Sequence, residues 1–123
     1  MPILDANVIL RYLLNDIPEQ AEESRKTILA GAATTIEVLA EVVYVLSGLY
    51  GADRTIISDT LSAFIQEIDL PNKAAVRYAF KVFRSTRLDF VDCVLVGYHH
   101  VMGMDIMTFD KKLQHCLQTD PLE

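Results

Sequence analysis

The feature that most constrains this chain is an arrangement that occurs near both ends. A short apolar segment closes on an aspartate, and apolar residues at helical spacing follow at once. Ile3-Leu4-Asp5 leads into Ala6 to Leu14, and Ile106-Met107-Thr108-Phe109-Asp110 leads into a last helix. Strand-then-helix units of this kind belong to α/β domains, in which helices cover a mainly parallel sheet. The intervening chain keeps the pattern. Pro18 followed by Glu19, Glu22 and Glu23 starts a helix that runs to Ala30 and stops at Gly31. Ala32 to Thr34 reads as a brief strand, and Thr34-Thr35-Ile36-Glu37 as a capping box opening a helix to about Tyr50. Asp53 caps a helix to about Gln66, and Glu67 to Leu70 is an edge strand. Asn72 caps a helix to Ser85, Asp89 to Met102 is a further helix, and Asp105 to Thr108 is a strand.

A length of 123 residues suits one domain over residues 1–123. No repeat or Pro/Gly/Ser linker divides it. The longest apolar run, Val38 to Leu49, is interrupted by Glu41 and is too short for a membrane span. The opening Met1-Pro2-Ile3-Leu4-Asp5 has no basic leader region. Cys93 and Cys116 lack metal-ligand spacing and read as reduced thiols, so the expected setting is soluble and cytoplasmic. The net charge of −6 argues at first against a polyanionic partner. Setting aside Asp5, Glu41, Asp89, Asp92 and Asp110 leaves 12 of the 17 acids against 11 bases. Charge then neither excludes nor supports RNA.

Those five acids carry the chemistry. Asp5 and Asp110 each end an apolar strand, and the carboxyl edge of a parallel sheet is where α/β proteins place their sites. Helix capping would account for either alone but not for the repetition. Glu41 stands within Val38-Leu39-Ala40-Glu41-Val42-Val43-Tyr44-Val45-Leu46, with no lysine or arginine within a helical turn. A helix apolar on nearly all sides is expected to be buried, so Glu41 calls for a distant base or a cation. Glu37, one turn earlier, is explained by the capping box. Asp89 and Asp92, three apart, project the same way from a first turn. Two carboxylates about 4 Å apart repel by roughly 4 kcal/mol at an effective dielectric near 20, so a cluster needs protons or a cation. Oxygen-only ligands select Mg²⁺ or Mn²⁺, which suit phosphoryl chemistry through a metal-activated water. His99, His100 and His115 form no ligand pair, and no phosphate-binding glycine loop or Ser/His/Asp set is present.

Taken in order, four segments resemble PIN-domain ribonucleases, in particular the VapC toxins of toxin–antitoxin pairs. They are Leu4-Asp5-Ala6-Asn7-Val8-Ile9-Leu10-Arg11-Tyr12-Leu13-Leu14, then Thr34-Thr35 through Leu39-Ala40-Glu41-Val42-Val43-Tyr44-Val45-Leu46, then Leu88-Asp89-Phe90-Val91-Asp92, then Thr108-Phe109-Asp110-Lys111-Lys112-Leu113. The resemblance implies a three-layer α/β/α sandwich around a short, mainly parallel sheet. It implies an acidic pocket in which Asp5, Glu41, Asp92 and Asp110 are catalytic and Asp5, Asp92 and Asp110 hold Mg²⁺ or Mn²⁺. Asn7, Asp89 and Thr108 match supporting positions. It further implies an RNA substrate, a homodimer and a cognate antitoxin, with no membrane association. The family often has a strand beyond the fourth acid, which Leu113 to Glu123 would leave missing. Two other readings stay open: a PIN nuclease in RNA maturation, and a non-catalytic binding module. A haloacid-dehalogenase-type phosphatase is disfavoured because Asn7 stands where its second aspartate is needed.

Overall fold

The computed structural model describes residues 1–123. Helices dominate: α1 Ala6–Leu14, α2 Pro18–Ala30, α3 Ile36–Gly48, α4 Arg54–Phe64, α5 Lys73–Ser85, α6 Phe90–Met102 and α7 Lys111–Gln118, with a 3₁₀ turn at Ile65–Glu67. The chain divides into two compact units, residues 1–52 with 63–71, and residues 53–62 with 72–123.

In the first unit α1 packs against α2 and α3. Asp5 caps α1 by accepting from the Val8 backbone N–H at 2.9 Å, and Asn15 closes it in the left-handed region at φ 51°. Pro18 occupies the first turn of α2, where its missing N–H removes no helical bond. Thr35 caps α3, accepting from the Val38 N–H at 3.2 Å. The expected capping box is therefore shifted by one residue. Glu37 falls outside the reciprocal position, and Thr34 instead donates its buried hydroxyl to the Leu4 carbonyl at 2.9 Å.

The expected sheet is reduced to parallel single-residue bridges, Ile3 to Ala33 and Ala33 to Asp69. Leu4 N–H donates to the Ala33 carbonyl at 2.8 Å, and Thr34 N–H to the Asp69 carbonyl at 3.0 Å. The direction matches a parallel sheet; its extent does not. Each extended segment is cut short by chemistry at both ends. Pro2 has no N–H to extend the first, and Asp5 caps a helix. Gly31 at φ 106° and the Thr35 cap bound the second. The 3₁₀ turn and Pro71 bound the third.

The second unit is helical. Its most extensive contact is α5 against α6, and α7 packs on α6. Phe90 of α6 stacks on Phe80 of α5 with ring centroids 4.9 Å apart, and Phe83 meets its edge at 6.3 Å. The two helices come so close that a Cβ on Gly97 would lie 2.4 Å from the Ala75 carbonyl oxygen. Asp53 caps α4 through the Ile56 N–H, as its position predicts. Asn72 precedes α5 with φ 56° but makes no side-chain cap, against expectation, because the left-handed turn leaves its side chain off the helix start.

The strand expected at Asp105 to Thr108 is not formed. The Thr108 carbonyl and that of Met104, just before the segment, are taken up by side chains instead. The His99 ring bonds the Met104 carbonyl at 2.8 Å, and Gln114 donates its amide to the Thr108 carbonyl at 2.7 Å. Met107 remains 81% exposed. No helix is long and apolar enough to cross a membrane.

Candidate functional site

In the second unit the starts of α6 and α7 carry Asp89, Asp92 and Asp110. Asp89 caps α6 by accepting from the Asp92 N–H at 2.9 Å. Asp110 caps α7 through the Leu113 N–H at 2.9 Å. Thr108 supports Asp110 from behind, its hydroxyl accepting from the Asp110 N–H at 3.1 Å. Both aspartates thus commit one carboxylate oxygen to a backbone donor and keep the other. Asp92 differs from both. It lies inside the first turn of α6, half-buried, and its carboxylate accepts no hydrogen bond from the protein. Its carboxyl is held above the usual range by partial burial, then by Asp89, then by Asp110. Negative charge is being concentrated here against its own repulsion.

Arg54 fixes the loop that presents Asp89. Its Nε donates to the Phe83 carbonyl at 2.8 Å and its Nη2 to the Leu88 carbonyl, while the guanidinium lies 3.6 Å from the Phe83 ring centre. Sequence reasoning missed this residue. Arg54 sits 35 positions before Asp89 in the chain, and only the packing of α4 on the end of α5 joins them.

Asp5 and Asn7 lie in the first unit, on a groove of about 520 Å³ between α1 and α2 that also includes Arg11 and Glu23. Asp5 is exposed and keeps one oxygen free of the cap. Glu41 does not line that groove. The expectation that Glu41 is buried is overturned: it is exposed. Helix α3 buries Leu39, Val42, Val43 and Leu46, and Glu41 falls on the opposite side with Glu37 and the 78%-exposed Tyr44.

The donors of this chain suit a hard divalent ion in kind, since Asp89, Asp92 and Asp110 offer only carboxylate oxygen. They do not close a cage, because no group of three or more His, Cys, Asp or Glu side chains stands at metal-holding spacing. An ion here would keep part of its water shell, as Mg²⁺ ordinarily does. The two cysteines are free and buried, and burial pushes the Cys93 thiol up to about 12.

The family model for the PIN domain matches residues 3–116, so the match takes in all of the acids described above. PIN domains are generally metal-dependent nucleases. Searches of curated proteins and of solved structures gave no match.

Proposed function

Because the chain belongs to the PIN-domain family, we propose that it is a Mg²⁺- or Mn²⁺-dependent ribonuclease acting as the toxin of a toxin–antitoxin pair. The observation that carries the reading is the Asp89, Asp92 and Asp110 set at the starts of α6 and α7, with the Asp92 carboxyl raised first by partial burial and then by its two neighbours. Asp5, Glu41, Asp92 and Asp110 are assigned as the catalytic acids, and Asp5, Asp92 and Asp110 as the ion's ligands. Asn7, Asp89 and Thr108 support them. A bound divalent ion would supply charge neutralisation and a more acidic water for attack on a phosphodiester.

The chain's own residues have distinct tasks in this reading. Asp89 and Asp110 are locked by their caps, so each presents its remaining oxygen in a fixed direction at little further loss of side-chain freedom. Asp92 has two uncommitted oxygens and is the acid whose charge state responds to the ion. Its carboxyl holds a proton more readily than an ordinary aspartate, and a bound divalent ion would favour its ionised form.

A homodimer and an antitoxin are part of the same proposal. Tyr44, Leu49 and Tyr50, on and just beyond α3, leave apolar surface exposed that a partner would cover. An antitoxin approaching the acids would do so with a basic side chain. The decisive experiment incubates purified protein with total RNA, with and without Mg²⁺ or Mn²⁺, and maps new ends. Discrete new ends that vanish with EDTA are expected. RNA left intact under all conditions would remove the nuclease reading.

A further inference from the structure

Beside the acids of the second unit lies a hollow of about 460 Å³ with the opposite character. Its walls are Arg87 from the loop before α6, and Lys111, Lys112 and His115 from α7; its floor is Leu88 and Cys116. Leu88 and Cys116 are buried, while the four basic side chains are exposed at the rim. None of Arg87, Lys111 and Lys112 joins an ion pair. In a chain of net charge −6, three unpaired cations around one hollow are a local inversion of the surface.

The placement of these cations opposes the fold's own electrostatics. Lys111 and Lys112 occupy the first turn of α7, the positive end of the helix dipole, where acids are favoured and cations are not. The Arg54 guanidinium is held below its usual range first by burial, and Arg87 adds to this as a like charge. Neither arrangement stabilises the empty protein, so both point to an anion. Position says which kind. Arg87 precedes Asp89 by two residues, and Lys111 follows Asp110 directly. A polyanion passing the acids is repelled there unless cations hold it on either side.

We propose that this hollow is a nucleotide subsite for single-stranded RNA. Arg87, Lys111 and Lys112 hold a backbone phosphate flanking the one that is cut, and the Leu88–Cys116 floor receives the ribose or base. The proposal deepens the nuclease reading and rests on it for the identity of the strand. An arginine and two lysines supply phosphate contacts without base readout, so the subsite adds affinity and register, not sequence preference.

The test is fluorescence anisotropy with a labelled 12-nucleotide RNA of mixed sequence, in EDTA so that no strand is cut. Arg87→Gln/Lys111→Gln should weaken binding about tenfold. It should flatten the slope of log Kd against log salt by about 1.4, the expectation for two lost single-strand phosphate contacts. Lys26→Gln/Lys81→Gln removes the same charge from residues outside the hollow and should change Kd less than twofold. With Mn²⁺ present, the hollow variant should raise KM for RNA cleavage and leave kcat near the parental value. Independently of any variant, photocrosslinking of 4-thiouridine RNA to the unaltered protein should map to residues 86–88 or 111–116. Equal losses in the two double variants, crosslinks confined elsewhere, or a polyglutamate peptide displacing the RNA as well as unlabelled RNA does would each overturn the proposal. Binding that depends on the hollow in a protein that cuts nothing would sink the nuclease reading and leave the subsite standing. Cleavage indifferent to the hollow would do the reverse.

Discussion

Helices α3 and α6 look alike as sequence and behave differently as structure. Each is 13 residues long and rich in valine and leucine, and each carries an acid proposed as catalytic. In α3 the buried positions are Leu39, Val42, Val43 and Leu46, a single stripe at helical spacing. Glu41 is two residues past the start of that stripe, about 200° around the helix, and faces out. In α6 the buried set is wider, Phe90, Cys93, Val94, Val96 and Gly97, because α5 and α7 both pack on it. Asp92 stands at the margin of that set, half in and half out. The lesson is that apolar neighbours along the chain do not bury an acid. Its phase relative to the packed stripe does, and that phase depends on how many helices the element meets.

The largest test of this contrast is catalytic. Asp92→Asn should reduce Mn²⁺-dependent RNA cleavage by more than about 100-fold, since losing even an outer-sphere partner of a metal site typically costs 10- to 100-fold. Glu41→Gln should be as damaging if the proposed assignment holds, even though Glu41 has no burial to enforce its role. Both variants should retain the parental far-UV circular dichroism. A Glu41→Gln protein that cleaves at the parental rate would show that α3 carries a surface acid only, and that the acids of the second unit do the chemistry.

A second comparison isolates packing from chemistry, using the glycine each helix contains. A Cβ at Gly97 would meet the Ala75 carbonyl oxygen at 2.4 Å and its carbon at 3.2 Å, both backbone atoms that cannot swing aside. Gly97→Ala should therefore destabilise by about 1–3 kcal/mol, the usual range for overpacking. That corresponds to a fall of roughly several degrees in the unfolding midpoint. A Cβ at Gly48 meets nothing within 4 Å. Gly48→Ala should stabilise by up to about 0.5–1 kcal/mol through reduced freedom of the unfolded chain. Thermal denaturation of the two variants reads both. Equal shifts of the same sign would mean that α6 is no more tightly held than α3.

The sequence was most legible where local chemistry decides. The ends of α1 and α2 follow from Asp5, Asn15, Pro18 and Gly31, residues whose own geometry starts or stops a helix. Parallel pairing was legible too, since Ile3, Ala33 and Asp69 bridge in the expected direction. The extent of the sheet was not, because Pro2, Asp5, Thr35 and Pro71 crowd caps and breakers around very short segments. The segment Asp105 to Thr108 has apolar residues enough for a strand, but Gln114 takes up the Thr108 carbonyl and His99 that of Met104 just before it. For the site, Asp89, Asp92 and Asp110 were found from spacing, and Asp89 and Asp110 do act on the Asp92 charge, but no three acids stand at metal-holding spacing. Arg54 and the Arg87–Lys111–Lys112 rim were not found, since neither contact is local in the chain.

The smallest predicted effect is the most specific to Asp92. Its folded-state carboxyl is raised above its ordinary value of 3.8 by burial and by two neighbouring acids. The folded chain therefore binds this proton more tightly than the unfolded chain does. The resulting stabilisation is complete below the unfolded value and is lost as pH rises through the folded one. Metal-free protein should lose a little stability across that window, and Asp92→Asn should not, so at neutral pH the variant should unfold slightly higher than the parent. The effect is held small by solvent screening of a half-exposed group. A divalent ion requires the ionised carboxylate, so the midpoint increment given by Mn²⁺ should grow over the same pH window in the parent and be reduced in Asp92→Asn. Calorimetric scans at pH 4, 5, 6 and 7, with and without Mn²⁺, follow both trends. A metal-free midpoint that climbs with pH faster in the parent than in Asp92→Asn would mean that Asp92 is stabilised by a positive partner. The crowding on which its role depends would then be absent.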